Sequence, residues 1–347
     1  MGIKVLIVDD SATARAILTE ILESDSEISS IDTAPDAYIA RDKIVKNRPD
    51  VVCLDVEMPR MDGITFLRKM MQHMPIPVVM VSSLTQRGAQ TTLDALEAGA
   101  VDFIGKPHSN IYENSDKIRQ ELLEKVKNAA YARVYKHSEK AVLKHLNFSG
   151  ALSETTQKLI AIGSSTGGVE ALKLFLTQFP HNTPGMLIVQ HMPADFTKQF
   201  AERLNSICEM DVKEAQNGDT VTIGQVLIAP GNLHMVLRRS GHRYYVQLGG
   251  GDKVSGHRPS VDVMFNSVAK NAGSNAMGVI LTGMGSDGAK GLLNMRKSGA
   301  MTFGQDEKSS IVYGMPKIAY KLGGVVKQDS LEKLPEDILQ HFEKELV

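Results

Sequence analysis

A serine flanked by small residues follows an apolar run in the second half of the 347-residue chain. The run 158–162 leads into Gly-Ser-Ser-Thr-Gly-Gly at 163–168, and a helix-period apolar pattern starts at Val169. A strand, G-x-S-x-G and a helix in this order are typical of a nucleophile elbow, a sharp turn that exposes one serine hydroxyl. The spacing favours Ser165 over Ser164. Such turns also cradle phosphates or cap helices, so the motif alone does not decide.

A serine nucleophile needs a base, and the base needs a group that orients it. His191 directly follows the apolar run 186–190, and Asp287 comes shortly after the run 277–281. The carboxyl ends of parallel strands share one edge of a sheet, where ligands bind. We therefore expect Ser165, His191 and Asp287 to meet at that edge as nucleophile, base and orienting acid.

Three other residues compete for these roles. His234 and His257 are alternative bases, and Asp262 is an alternative acid. His234 comes several residues after an apolar run, and His257 lies in a Gly-rich loop that no strand precedes. The two histidines rank second, as candidate residues of a substrate loop.

The first half of the chain carries an acidic constellation. Asp9 and Asp10 follow its first apolar run, and Asp55 follows its third. Carboxylates brought close together repel unless a proton or cation intervenes, and oxygen ligands suit magnesium. Ser82 and Lys106 follow the next two runs. A carboxylate nucleophile, a metal site, a hydroxyl and a cation at one sheet edge indicate a site that accepts and holds a phosphoryl group.

The pattern of apolar runs predicts the elements that position these residues. Between the first two runs, an apolar stripe at helical spacing from Ala14 to Leu22 predicts a helix, with Ser11 as its cap. Such alternation predicts parallel sheets wound on both faces. We expect a first domain at 1–125, a helix end and polar linker at 126–156, and a second α/β domain at 157–347. The predicted strands are 3–8, 28–31, 51–54, 78–81 and 101–104, then 158–162, 186–189, 226–229 and 277–281.

Five stretches of the first half resemble, in order, the motifs of two-component receiver domains. The resemblance implies a flavodoxin-like fold in which Asp55 is the phospho-acceptor and Asp9, Asp10 and Asp55 hold magnesium. It further implies that Ser82 is the switch hydroxyl and that Lys106 contacts the phosphoryl group. The stretches are Val-Asp-Asp-Ser at 8–11, Leu-Asp-Val-Glu-Met-Pro at 54–59, Met-Asp-Gly at 61–63, Val-Ser-Ser at 81–83 and Gly-Lys-Pro at 105–107.

The second half resembles the CheB family of chemotaxis protein-glutamate methylesterases. Its order of serine, histidine and aspartate differs from that of the α/β-hydrolases. The resemblance implies that Ser165, His191 and Asp287 are catalytic. The stretches that carry it are Ile-Gly-Ser-Ser-Thr-Gly-Gly at 162–168, Gln-His-Met-Pro at 190–193, Ala-Pro-Gly at 229–231, His-Arg-Pro-Ser-Val-Asp at 257–262 and Leu-Thr-Gly-Met-Gly at 281–285.

By the same resemblance, the substrates are methylated glutamates and glutamines of chemotaxis receptors, and a CheA-type histidine kinase donates the phosphoryl group. Backbone N–H groups at Thr166, or in the turn at Met284 and Gly285, would form the oxyanion hole. Magnesium serves receiver phosphorylation only, and the esterase needs no cofactor. The runner-up hypothesis is a receiver-controlled serine esterase that acts on an ester other than a receptor.

Composition excludes several other classes. Lys plus Arg numbers 39 against 40 for Asp plus Glu, so no basic excess favours nucleic acid or a DNA-binding output. No apolar stretch approaches the roughly 18 residues of a membrane span, and we expect no membrane insertion. The two cysteines, Cys53 and Cys208, are far apart and form no metal-binding motif. A reducing, cytoplasmic location fits, and an intact triad argues against a non-catalytic adaptor.

Overall fold

The computed structural model describes residues 2–82, 86–106, 115–134, 146 and 158–346. It contains two compact units, Met1–Glu139 and Lys140–Val347, each with its own parallel sheet. Of the predicted linker segment 126–156, only 126–134 and 146 lie in the described part, so the domain boundaries stay predictions. None of the helices in the described ranges is long and apolar enough to cross a membrane.

The first unit is a five-stranded parallel sheet in the order β2-β1-β3-β4-β5, with five helices among its described residues. Every residue of its third and fourth strands is buried, as expected where helices cover both faces of a parallel sheet. The strands are β1 Ile3–Val8, β2 Ile28–Ala34, β3 Val51–Asp55, β4 Val78–Ser82 and β5 Asp102–Gly105, and the helices are α1 Ala12–Glu23, α2 Ala37–Lys46, α3 Gly63–His73, α4 Gln86–Glu97 and α5 Ser115–Ala130.

Polar caps start the first three helices of this unit. Ser11 accepts a hydrogen bond from the Ala14 N–H and caps α1, as the sequence predicts. Asp36 and Asp62 cap α2 and α3 in the same way. These caps set the point at which the chain leaves each strand end and turns into a helix.

The second unit is a seven-stranded parallel sheet in the order β14-β13-β12-β6-β7-β9-β8, with a separate antiparallel hairpin of β10 and β11. Its strands are β6 Leu159–Ser164, β7 Gly185–Gln190, β8 Asp211–Glu214, β9 Gln225–Ile228, β10 His234–Ser240, β11 Arg243–Gly249, β12 Ala276–Ile280, β13 Met301–Gln305 and β14 Lys327–Asp329. Its helices are α6 Gly168–Leu176, α7 Ala194–Asn205, α8 Val261–Asn271, α9 Ala289–Lys297, α10 Met315–Lys321 and α11 Leu334–Leu346, with a short 3₁₀ turn at Gly273–Asn275.

The strand order brings the predicted site residues to one place. β6 lies in the middle of the second sheet, with β7 on one side and β12 on the other. The chain therefore leaves β6 toward β7 and later returns to its opposite side, which opens a crevice at the carboxyl ends of these strands. Strands β6 and β7 are buried along their whole length, so the crevice rests on a rigid base.

Several strands of the second unit were missed by sequence analysis. β8 and β14 are short and polar, and β13 contains Thr, Gly and Gln, so none of them shows an apolar run. They form because their backbone groups pair with those of a neighbouring parallel strand. The hairpin of β10 and β11 was also missed. Its apolar residues pack in the same core cluster as Met264 and Phe265 of α8.

Candidate functional site

The acidic constellation of the first unit lies at the carboxyl edge of its sheet. Asp9 and Asp10 follow β1, and Asp55 ends β3; one oxygen from each carboxylate lies within 4.8 Å of the others. Asp9 and Asp55 are buried, whereas Asp10 is exposed. β1 lies between β2 and β3, so this edge is the switch point of the strand order. We call this group, together with Ser82 and Lys106, the acidic pocket.

Lys106 faces the buried carboxylates. Its Nζ lies 2.8 Å from Asp55 Oδ2 and 3.3 Å from Asp9 Oδ2. Burial raises the pKa of Asp55 to about 6; Lys106 opposes the shift and the Asp9 carboxylate adds to it. Apart from this ion pair, the two Oδ2 atoms accept no hydrogen bond from the part of the chain that the structure describes. Closely spaced carboxylate oxygens that can accept further contacts are suitable ligands for a magnesium ion.

Ser82 completes the acidic pocket from the end of β4. It lines the same cavity as Asp55 and Lys106. Ser82 is buried, and its Oγ lies 2.8 Å from the Thr92 hydroxyl of α4. The structure thus brings together all five residues that the sequence predicts here. The contact between Thr92 and Ser82 was not predicted from the sequence.

The serine turn of the second unit has the predicted strand-turn-helix form. Ser165 lies between β6 and α6 and is half-buried, whereas Ser164 is fully buried. The turn needs glycine at Gly167, which has a φ of 77°, in the left-handed region. The Ser165 carbonyl accepts the Gly168 N–H at 2.7 Å, which closes the turn. This geometry presents the Ser165 side chain at the crevice.

Ser165, His191 and Asp287 form one chain of contacts. His191 Nδ1 lies 3.1 Å from Ser165 Oγ, and His191 Nε2 lies 2.9 Å from Asp287 Oδ2. An ionised carboxylate can only accept, so the Nε2 proton faces Asp287 and Nδ1 is left to accept the serine proton. The arrangement has the geometry of a nucleophile, a general base and an orienting acid.

Asp287 is held at the N-terminus of α8. Its carboxylate accepts the Ser260 hydroxyl at 2.8 Å, the Val261 N–H at 2.7 Å and the Asp262 N–H at 3.0 Å. Burial raises the pKa of Asp287, but the hydrogen bond and charge of His191, with the Asp262 N–H and Ser260, outweigh it and leave that pKa lowered. The ionised acid is thus stabilised by His191, by these donors and by the helix dipole.

Asp262, the competing acid, caps a different helix. Its Oδ1 accepts the Gly291 N–H in the first turn of α9, and Asp287 itself lies just before that helix. The two aspartates therefore cap each other's helix: Asp287 caps α8, and Asp262 of α8 caps α9. Burial raises the pKa of Asp262, although the hydrogen bond from the Gly291 N–H acts to lower it. Through its hydrogen bond with the Gly291 N–H, Asp262 stabilises the segment that carries Asp287.

The two competing histidines have different surroundings. His234 is buried; its Nε2 donates to the Asp252 carbonyl at 2.9 Å, and its Nδ1 accepts the Ser260 N–H at 3.2 Å. Both ring nitrogens are therefore engaged away from Ser165. The His257 ring stacks on the His191 ring, with centroids 3.7 Å apart and planes 10° from parallel. The sequence ranked His257 as a loop residue and did not predict this contact.

The surroundings of Ser165 restrict which amides can stabilise an oxyanion. The Ser165 N–H donates to the Thr282 carbonyl, and the Gly283 N–H donates to the Val312 carbonyl. The turn that contains Met284 and Gly285 lies close by, because a Cβ on Gly283 would be 2.8 Å from Ser165 Cβ. The N–H groups proposed from sequence, those of Thr166, Met284 and Gly285, therefore belong to segments that adjoin the nucleophile.

Comparison with known proteins identifies the family. Residues 160–338 match the family model described as CheB methylesterase, and residues 5–114 match the response regulator receiver domain. A protein-glutamate methylesterase/protein-glutamine glutaminase of Sulfurimonas denitrificans is 61% identical over 331 residues, which are 94% of each chain. The chain belongs to the CheB methylesterase family.

Other members of the CheB family agree with this assignment. The protein of the same name from Salmonella typhimurium is 51% identical over 337 residues, 97% of this chain and 96% of that one. The crystal structure of the Thermotoga maritima CheB methylesterase catalytic domain is 38% identical and covers 53% of this chain and 97% of its own, with a TM-score of 0.52. The predicted fold class, a receiver followed by a CheB-type α/β domain, is confirmed.

Proposed function

We propose that this CheB-family protein is a phosphorylation-activated hydrolase that demethylates glutamyl methyl esters and deamidates glutamines on chemotaxis receptors. The observation that carries the proposal is the contact chain from Ser165 through His191 to Asp287, at the carboxyl ends of β6, β7 and β12. The matches to a methylesterase domain and to a receiver support the two halves of the statement. A cytoplasmic location agrees with this role and stays a prediction.

The esterase reaction follows from the contact chain. Ser165 Oγ attacks the ester carbonyl carbon while His191 Nδ1 takes the hydroxyl proton. The tetrahedral intermediate collapses, the C–O bond to the methoxy group breaks, and the imidazolium returns the proton so that methanol leaves. Water then attacks the acyl-enzyme with the same base and releases the receptor glutamate. A glutamine amide passes through the same kind of intermediate and releases ammonia.

Asp287 and nearby amides support this reaction. Asp287 keeps the His191 proton on Nε2 and stabilises the imidazolium that forms when Nδ1 is protonated. Backbone N–H groups of Thr166, Met284 or Gly285 stabilise the oxyanion, where losing one donor typically costs about a hundredfold or more. The esterase itself requires no cofactor in this proposal.

In the receiver, Asp55 is the phospho-acceptor and Asp9, Asp10 and Asp55 hold magnesium. When bound, magnesium offsets the charge that these carboxylates and the incoming phosphoryl group bring together. Lys106, already 2.8 Å from Asp55, then contacts the phosphoryl oxygens, and the Ser82 hydroxyl turns toward them. The donor is a CheA-type histidine kinase. Phosphorylation biases the receiver between two states, and the phosphorylated state raises esterase activity.

The test is methanol release from methylated receptor membranes, with and without a small phosphodonor and Mg²⁺. Wild type, Ser165→Ala and Asp55→Asn are compared as full chains. We expect Ser165→Ala to abolish release, and Asp55→Asn to keep basal release but lose the increase caused by the phosphodonor. Release that is unchanged in Ser165→Ala would refute the nucleophile assignment. Untouched receptors alongside Ser165-dependent cleavage of small esters would favour the runner-up, a receiver-controlled esterase with another substrate.

A further inference from the structure

Gln190 is a buried polar residue that links the nucleophile to the base. It ends β7, immediately before His191, and is 3% exposed. Its side-chain Nε2 donates to the Ser165 carbonyl at 3.0 Å and to the His191 carbonyl at 3.2 Å. Its Oε1 accepts the hydroxyl of the fully buried Ser164 at 2.6 Å. One amide therefore holds the backbone of both residues that react.

The orientation of this amide follows from its partners. The two carbonyl oxygens can only accept, so the amide NH₂ must face them. A flipped amide would place its oxygen against two carbonyl oxygens and leave at least one of its N–H donors unpaired in a buried site, which is costly. The Ser164 hydroxyl can donate or accept, and here it donates to Oε1. Gln190 also packs tightly, because a Cβ on Gly168 would overlap its Oε1.

The hydrogen bond from Gln190 to the Ser165 carbonyl also affects the direction of the Thr166 N–H. A peptide unit is planar and trans, so the carbonyl of Ser165 and the N–H of Thr166 point in opposite directions in one plane. The following peptide is held as well, since the Thr282 hydroxyl donates to the Thr166 carbonyl at 3.0 Å. The peptide plane before Thr166 is thus held by the Gln190 amide together with the Gly168 N–H, and the plane after it is held by the Thr282 hydroxyl.

We propose that Gln190 is a positioning residue for the esterase: through the Ser165 carbonyl it aims the Thr166 N–H at the developing oxyanion. This inference rests on the proposed function and extends it to a residue that contacts neither substrate nor reacting atoms. Gln190 acts in the transition state, where the oxyanion forms, and not in the binding of the ester. Its loss is therefore expected to lower kcat and to leave KM nearly unchanged.

Two substitutions test the role in different ways. Gln190→Glu keeps the size of the side chain and the acceptor for Ser164 but turns an oxygen toward the two carbonyls. Gln190→Met keeps the length and removes both donors. Because misplacing one oxyanion donor costs less than losing it, we expect kcat to fall about 10- to 100-fold in both variants, with KM within about threefold.

Two control variants separate positioning from stability. Gln178 is also buried, and its Nε2 donates to the Leu174 carbonyl in α6, at the end of that helix opposite to Ser165. Gln178→Met removes one such hydrogen bond, so we expect the melting temperature to fall by less than in Gln190→Met and kcat to stay unchanged. Ser164→Ala removes only the contact to Oε1 and should leave kcat within about threefold. Equal kcat losses in Gln190→Glu and either control would overturn the inference.

A second measurement is independent of the receptor substrate. A fluorophosphonate phosphonylates a serine nucleophile and places an oxygen in the oxyanion site, so the maximal labelling rate of Ser165 should fall about tenfold or more in the Gln190 variants. Ser165→Ala should show no labelling at this position. Equal labelling rates in wild type and the Gln190 variants would overturn the inference alone. Normal labelling without receptor demethylation would refute the proposed substrate alone, and absent labelling in wild type would refute both.

Discussion

Replacing Asp287 by asparagine tests the central assignment because it changes charge without changing shape. The carboxylate accepts four hydrogen bonds, from His191 Nε2, the Ser260 hydroxyl and the N–H groups of Val261 and Asp262. An asparagine side chain has one oxygen and one NH₂ group. Whichever way it turns, the NH₂ group meets at least one backbone N–H, and that buried donor loses its partner.

The catalytic effect can be worked from the distance. In the transition state the His191 imidazolium lies about one hydrogen bond, 2.9 Å, from the Asp287 carboxylate. At an effective dielectric constant of about 20, charges about 3–4 Å apart attract by about 4–6 kcal/mol. Since about 1.4 kcal/mol is a factor of ten in rate, Asp287→Asn should lower kcat by roughly 10³- to 10⁴-fold.

The stability effect is smaller. An unpaired buried N–H and the loss of a negative charge at the α8 N-terminus together cost on the order of 1–3 kcal/mol. The assay combines methanol release from methylated receptors with urea unfolding. Asp262→Asn is the matched control, because it alters the cap of α9 without touching His191. We expect it to keep kcat within about tenfold of wild type.

Two results would refute the reasoning. One is an Asp287→Asn variant that keeps kcat within about tenfold of wild type, since the imidazolium would then not need the carboxylate. The other is an Asp262→Asn variant that is as inactive as Asp287→Asn. In that case the mutual capping of α8 and α9, and not the contact with His191, would explain the loss.

Three further predictions concern pH, backbone conformation and the receiver. The pKa of Asp287 is lowered in the folded state, so its stabilising contribution is present above the unfolded pKa and is lost as pH falls through the folded value. Urea unfolding between about pH 5 and 2 should therefore show the gap between wild type and Asp287→Asn narrowing with acid, and a constant gap would contradict this. Gly167→Ala places a Cβ 2.8 Å from Ile311 Cβ at a φ of 77°, so we expect a loss of about 1–3 kcal/mol in unfolding free energy and weaker activity; an unchanged melting curve would refute the strain. Thr92→Val removes the 2.8 Å contact with the Ser82 hydroxyl, so Ser82 should move to the phosphoryl group more readily and phosphodonor sensitivity should rise about 2- to 10-fold, whereas reduced sensitivity would count against the contact as a resting-state restraint.

The residues at strand ends were predictable from the sequence. Asp55 and His191 each follow an apolar run directly, and the edge that collects such residues is a general property of parallel sheets. The nucleophile elbow was predictable for a similar reason, since its glycines are required locally by the turn. Choosing Asp287 over Asp262 relied on position after a strand, and the two residues turned out to share a pair of helix caps.

The sequence by itself therefore determined the two α/β units, the serine turn and the residues that reach each sheet edge, because these depend on local periodicity and on strand-end geometry. Only the tertiary structure decided how the side chains pair. The stacking of His257 on His191, the mutual capping of α8 and α9, and the Gln190 bridge join residues far apart in the chain or on different elements. No local pattern encodes such contacts, because they arise when packed elements bring buried donors and acceptors within hydrogen-bond distance and each must find a partner.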